Sequence, residues 1–162
     1  MTAADGTEAD RTREVLFVCM ANICRSPMAE AIFDALVSDA GMRYEARSAG
    51  VAALVGEPIA PKAVAALEEV GVYPGQHRAR QVIKPMLEGA DLVLAMTSKH
   101  VATLRRLSGD SSHKIYTLPE YAKGVPSEEG ISDPYGLTMG AFRTCVRRLF
   151  EDLDRVVNRL ER

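Results

Sequence analysis

Cys19 and Arg25 lie six positions apart in Val15-Leu-Phe-Val-Cys-Met-Ala-Asn-Ile-Cys-Arg-Ser-Pro27, so a thiol and a guanidinium bracket the five-residue loop Met20, Ala21, Asn22, Ile23 and Cys24. Such a pair arises easily by chance, and the spacing alone means little. The flanks give it meaning. Val15, Leu16, Phe17 and Val18 form a short apolar run of the kind buried in a parallel sheet. Ser26 is a good helix N-cap and Pro27 a good first helical residue, its φ preset and no amide hydrogen wasted.

A loop between a strand and a helix N-terminus aims several backbone N–H groups at one point in the positive field of the helix dipole, where anions bind. The same field favours a thiolate over a thiol, making Cys19 a candidate nucleophile at phosphorus. Arg25 offers a planar fork that can clasp two oxygens of a phosphoryl group and follow its charge into the transition state. Asn22 suits a residue forced toward positive φ, and its amide could pin the loop. Ser26 could donate its hydroxyl to the Cys19 sulfur and improve it as a leaving group.

These residues need a scaffold. At 162 residues, with 47% hydrophobic content and a formal charge of −2, the chain has material for one globular domain with ample core. Residues 1–13 are polar and charged and read as a disordered tail, leaving 14–162 as a single domain. No apolar stretch is long enough for a bilayer and no signal peptide opens the sequence, so a cytoplasmic protein without membrane contact is expected. Three unevenly spaced cysteines make no disulfide framework. The near-neutral charge and the lack of a basic stripe speak against nucleic acid. His77, His100 and His113 are too scattered for zinc, so neither metal nor cofactor is expected. A monomer is the expected state.

Strand-like and helix-like runs alternate, the pattern of parallel βαβ units. Strands are expected at Glu14 to Val18, Tyr44 to Ser48, Leu92 to Met96 and Lys114 to Thr117. Helices are expected at Pro27 to Ala40, stopped by Gly41, and at Pro61 to Val70, stopped by Gly71, with shorter pieces around Gln81 to Glu88 and Ser98 to Leu107. Pro85 must start or kink the first of those pieces. Ala141 to Leu160 carries apolar residues from Phe142 to Leu160 at near-helical periodicity. The fold class that follows is a doubly wound α/β sandwich: a central four-stranded parallel sheet with helices on both faces. Ligands bind beyond the carboxyl ends of such strands at the switch point, where Cys19 falls if the first strand is central.

Phosphoryl transfer to sulfur leaves an atom in need of a proton. Asp133, in Ile131-Ser-Asp-Pro-Tyr-Gly136 just before the last helix, is the best candidate acid, and Pro134 stiffens the chain after it. Locally, the same stretch also reads as a plain turn with a solvated aspartate.

Cys19 to Pro27, the Ser48-Ala-Gly50 turn, His77-Arg-Ala-Arg-Gln81, Asp91-Leu-Val-Leu-Ala-Met96 and Asp133-Pro-Tyr-Gly136 together resemble the low-molecular-weight protein tyrosine phosphatases, in order and spacing, from about Glu14 to the last helix. The resemblance implies a metal-free, two-step hydrolysis of a phosphorylated protein. Cys19 would attack phosphorus to give a phosphocysteine while Asp133 protonates the leaving phenolate, and Asp133 would then help water release phosphate. It also implies that residues 20–24 and Ser26 cradle the phosphoryl group, that Tyr135 walls the cleft and that His77 orders a loop through hydrogen bonds.

Two features depart from many relatives. Ala21 replaces a glycine two residues after the nucleophile, and Ala53, Leu54 and Val55 offer no aromatic wall. The superfamily also holds bacterial protein arginine phosphatases, similar here at Asp91 to Thr97 and Leu118 to Tyr121. Its arginine-specific members carry Thr where this chain has Ile23, and an apolar side chain suits an aromatic ring better than a guanidinium, so phosphotyrosine is the favoured reading. Arsenate reduction shares the architecture but needs further redox cysteines, whereas Cys145 reads as a core residue. A phosphate-binding module without turnover would not need Asp133. Cys24 either packs beneath the loop or acts as a resolving thiol for oxidised Cys19. Lys62 and Arg80 could attract a phosphoprotein. The pairs Arg105–Arg106 and Arg147–Arg148 read as solvated helix faces.

Overall fold

The structure, a computed structural model, describes residues 11–162. Strand β1 (Arg13–Cys19) holds the apolar run expected of a central strand, and Val15 to Val18 are fully buried. It pairs in parallel with β2 (Tyr44–Gly50) on one side and β3 (Leu92–Ala95) on the other, and β3 pairs with β4 (Ile115–Thr117), giving the order β2-β1-β3-β4. The sheet is the four-stranded parallel one expected, and the chain reverses direction across it between β1 and β3, so the C-terminal end of β1 is the switch point.

Alternation along β1 builds two cores. Val15, Phe17 and Cys19 face α1 (Arg25–Asp39), α2 (Pro61–Glu68) and the long α6 (Met139–Leu160), while Leu16 and Val18 face α3 (Lys84–Gly89) and α4 (Ser98–Ser108). Phe17, Phe33 and Tyr44 meet edge to face, with centroids 5.5 and 6.1 Å apart, and anchor α1 to the sheet. Gly41 takes φ 67° just past α1, the left-handed turn that ends it.

Several boundaries move. Helix α1 starts at Arg25, not Pro27, and its cap residue is Cys24; Ser26 lies inside the first turn and caps nothing, because its hydroxyl is used elsewhere. Lys114 belongs to a 3₁₀ turn, Gly109–Lys114, and β3 stops before Met96. Residues 81–83 are extended, and Pro85 sits in the opening turn of α3. Helix α5 (Leu118–Lys123) was not foreseen, although its capping box was in the sequence: Thr117 Oγ1 accepts from Glu120 N, and the Glu120 side chain reaches back to Thr117 N. The tail reading lies mostly outside the described residues; of its last three, Arg13 opens β1 and Arg11 pairs with Asp91 at 2.8 Å.

Candidate active site

Residues 20–24 turn tightly from β1 into α1, and the turn is inside out. The carbonyls of Cys19, Met20, Ala21 and Ile23 accept from the N–H groups of Val51, Ala52, Leu54 and Ala60 at 2.9, 2.9, 3.1 and 2.9 Å. His77 Nε2 stands 2.6 Å from the Asn22 carbonyl and must donate to it. With its oxygens drawn outward, the loop turns its amides inward: among the described residues, no backbone N–H from Met20 to Arg25 donates a hydrogen bond within the protein. Asn22 supplies the one left-handed non-glycine conformation among the described residues, φ 62°. Unpaired donors converging at the start of a 15-residue helix form an anion cradle. Ala21 fits because the left-handed position is its neighbour's. The close approach is made instead at Gly50, where a Cβ would lie 2.6 Å from the Met20 carbonyl oxygen.

The side-chain network beneath has a fixed direction. The backbone N–H of Arg80 can only donate, and its partner at 3.0 Å is Asn22 Oδ1. This settles the amide orientation, so Asn22 Nδ2 donates to Ser26 Oγ at 2.8 Å and to Ser48 Oγ at 3.0 Å. Ser48 sends its own proton to Glu30 Oε1 at 2.6 Å. Ser26, already an acceptor, has its proton free for Cys19 Sγ at 2.9 Å. A hydrogen bond to a charged sulfur favours the thiolate.

Arg25 is buried and spans the cradle toward the acidic loop before α6. Its Nη1 donates to the Ile131 carbonyl at 3.0 Å and its Nη2 lies 3.4 Å from Asp133 Oδ2, while Nε is buried without a partner. A buried guanidinium N–H is costly to leave unpaired, and one on a residue that lines the cleft suits a substrate oxygen. Asp133 is about half exposed and accepts from Tyr135 N at 3.1 Å, an Asx turn that fixes its direction. Cys19, Met20, Ala21, Ile23, Cys24, Arg25, Leu54, Asp133 and Tyr135 together line a cleft of about 140 Å³.

A family profile described as "Low molecular weight phosphotyrosine protein phosphatase" matches residues 14–162. The chain belongs to that family. It is 39% identical over 141 residues to the low molecular weight protein-tyrosine-phosphatase of Streptomyces coelicolor, covering 83% of this chain and 85% of the relative. It is 35% identical over 149 residues to the protein-arginine-phosphatase of Bacillus subtilis, covering 92% and 97%. Among solved structures, a mutant of YwlE from Bacillus subtilis superposes with TM-score 0.87 at 34% identity over 93% of this chain and 99% of that one. The low molecular weight protein tyrosine phosphatase from T. tengcongensis superposes with TM-score 0.85 at 38% identity, over 91% and 99%.

The residues singled out from the sequence take two places around this cleft. Ile23, Cys24 and Arg25 line the cleft walls with Cys19, and Tyr135 and Met20 form its exposed rim. Asn22 and Ser26 lie fully buried beneath the loop and act on it from below. Leu54 occupies the wall for which the sequence offered no aromatic. Burial, helped by the Asp133 carboxylate, pushes the Cys24 thiol up to about 12, and burial does the same to Cys145. Both stay protonated near neutral pH. Burial, with Arg25 nearby, pulls His100 down to about 4, so it is neutral. Sequence reasoning passed over Glu30, which ends the network; it lies one helical turn beyond Ser26, the spacing that places both on one face of α1. Among the described residues no cluster of His, Cys, Asp and Glu could hold a metal ion, and no helix is long and apolar enough to cross a membrane.

Proposed function

We propose that this family member hydrolyses phosphotyrosine in phosphorylated proteins through a phosphocysteine. Cys19 Sγ attacks phosphorus, the bond to the tyrosyl oxygen breaks, and Asp133 gives its proton to the departing phenolate. Water then attacks the phosphocysteine, Asp133 takes a proton from it, and Cys19 leaves as a thiolate that the Ser26 hydroxyl stabilises. Arg25 and the amides from Met20 to Arg25 hold the equatorial oxygens through both steps. The observation that carries this reading is the conjunction of inward unpaired amides, the partnerless Arg25 Nε and a sulfur that already receives a hydrogen bond.

Substrate choice rests on the cleft wall. Ile23, Leu54, Met20 and the Tyr135 ring offer apolar surface to an aromatic ring; the carboxylate that could meet a guanidinium there, Asp133, already faces Arg25 at 3.4 Å, and Ile23 adds no acceptor. Phosphoarginine is the second reading, supported by the likeness to the Bacillus subtilis protein-arginine-phosphatase. The chain is read as a monomeric cytoplasmic enzyme, and its three free, buried thiols suit a reducing compartment.

The test is phosphate release from matched phosphotyrosine and phosphoarginine peptides in EDTA, with Cys19→Ser as control. Faster release from phosphotyrosine, abolished in the control, is expected. Preference for phosphoarginine would overturn the substrate assignment and keep the nucleophile. Ile23→Thr should move the selectivity toward phosphoarginine, and unchanged selectivity would refute the role given to that side chain.

A further inference from the structure

The two halves of the cleft arrive from distant parts of the chain, and something must fix their separation. On one side stands the loop that follows β1. On the other stands the acidic loop, residues 130–138. Beside the acidic loop runs an open groove of about 450 Å³ lined by Ile131, Pro134, Leu137, Ala141 and Cys145 among others; Ile131 and Pro134 are buried and pack the first half of the loop, whereas residues 135–138 are exposed. Past Pro134, hydrogen bonds must hold the loop in place. At the N-terminal end, Ile131 N donates to the Met96 carbonyl at 2.8 Å and the Ile131 carbonyl accepts from Arg25. Gly130 passes close to the end of β3, where a Cβ would stand 3.2 Å from the Met96 carbonyl oxygen.

The C-terminal end is held differently. Between Asp133 and Thr138, internal bonds shape the turn: Tyr135 N to Asp133 Oδ1 and Leu137 N to the Pro134 carbonyl. From outside, Arg25 Nη2 reaches the Asp133 carboxylate at 3.4 Å, and the tie to the backbone is Lys62 Nζ, which donates to the Leu137 carbonyl at 2.8 Å. No other side chain from outside the loop bonds its backbone between those residues, among the described residues. Lys62 sits in the first turn of α2, and two residues before it Ala60 N donates to the Ile23 carbonyl at 2.9 Å. Ala60, Pro61 and Lys62 therefore join the nucleophile loop to the acidic loop, and Pro61 stiffens the span.

We propose that Lys62 is a positioning residue: with Ala60 it braces the acidic loop against the nucleophile loop and so sets where the Asp133 carboxyl stands over the leaving atom. This rests on the phosphatase reading above. The function left open for this lysine by the sequence, attraction of a phosphoprotein, would give a different signature. Attraction acts on every substrate alike and weakens with salt. Positioning of an acid matters in proportion to how badly the leaving group needs its proton.

The experiment compares kcat/KM for phenyl phosphate, whose phenolate is a poor leaving group, with p-nitrophenyl phosphate, whose nitrophenolate leaves well without a proton. A misplaced catalytic group costs up to about 100-fold. For Lys62→Met, which keeps the side-chain stem, a fall of about tenfold on phenyl phosphate is expected, with less than about twofold on p-nitrophenyl phosphate. Lys62→Arg, which can still donate to the Leu137 carbonyl, should restore phenyl phosphate turnover to within about twofold. Equal losses on the two substrates, no loss on either, or failure of Lys62→Arg to restore the rate would overturn the proposal. An unmodified enzyme that releases phosphate from neither substrate would instead overturn the phosphatase reading, and this assignment with it.

Discussion

Replacing Ser26 with alanine removes one proton from the site, and the hydrogen-bond directions say which step suffers. Ser26 Oγ lies 2.9 Å from Cys19 Sγ and accepts from Asn22 Nδ2 at 2.8 Å, so its hydrogen is directed at sulfur. A hydrogen bond to a charged group contributes about 1.5–3 kcal/mol. At roughly 1.4 kcal/mol per factor of ten, its loss is about 10–100-fold in the step where the sulfur carries most charge. That step is departure of the thiolate from the phosphocysteine. The loss therefore falls on kcat, with kcat/KM affected less, because the weaker thiolate stabilisation also leaves a more nucleophilic sulfur for attack. Quenched-flow kinetics with p-nitrophenyl phosphate should show a burst of nitrophenolate near one equivalent per enzyme, followed by a steady rate lowered about 10–100-fold. The variant also leaves one buried Asn22 N–H unpaired, at a cost of about 1–3 kcal/mol. With roughly 2–4 °C of Tm per kcal/mol for a chain of this size, it stays folded at the assay temperature. A steady rate within about twofold of the unmodified enzyme, with no burst, would refute the argument that Ser26 serves the leaving sulfur.

Gly50→Ala would press a methyl group 2.6 Å from the Met20 carbonyl oxygen and 3.1 Å from Asn22 Cβ; a loss of about 1–3 kcal/mol in stability and at least tenfold in kcat/KM is expected, and unchanged values for both would show that loop and strand are not tightly joined. Because burial holds the Cys24 and Cys145 thiols at about 12, iodoacetamide near neutral pH should add once per chain, at Cys19, by intact mass and peptide mapping. Labelling of Cys24 at a matching rate would contradict this. His100 is held at about 4 against an ordinary 6.5, so the unfolded chain binds a proton in that interval that the folded chain refuses. Its contribution is intact above about pH 6.5 and is lost as pH falls toward 4. The drop in Tm between neutral pH and pH 4.5 should therefore be smaller in His100→Gln than in the unmodified protein, and an equal drop would contradict the assignment.

The sequence by itself determined the parts of the protein that are local. An apolar run with a cysteine at its end marked β1 as a buried strand; Asn22 in the loop marked the positive φ; Gly41 marked the end of α1; and the order of motifs marked the family. Each of these depends on neighbours within a few residues, where backbone sterics and side-chain periodicity decide the outcome. The errors were local competitions with two acceptable answers. Ser26 has the chemistry of a helix cap and the chemistry of a thiol partner, and its hydroxyl can serve only one; the buried Cys19 sulfur took it. Thr117 and Glu120 spelled the start of α5, but a six-residue helix carries too little apolar periodicity to stand out.

Only the tertiary structure decided the rest. That Arg25 holds the carbonyl of Ile131, 106 residues away, that His77 and Arg80 clamp Asn22 from the far side of β2, and that Lys62 reaches Leu137, 75 residues away, are consequences of which strands lie side by side. Residue types and local spacing do not encode such contacts, because the same lysine in the first turn of a helix can point into solvent or at a carbonyl. The placement of β1 between β2 and β3 brings those segments to one end of the sheet, and the chemistry is assembled there.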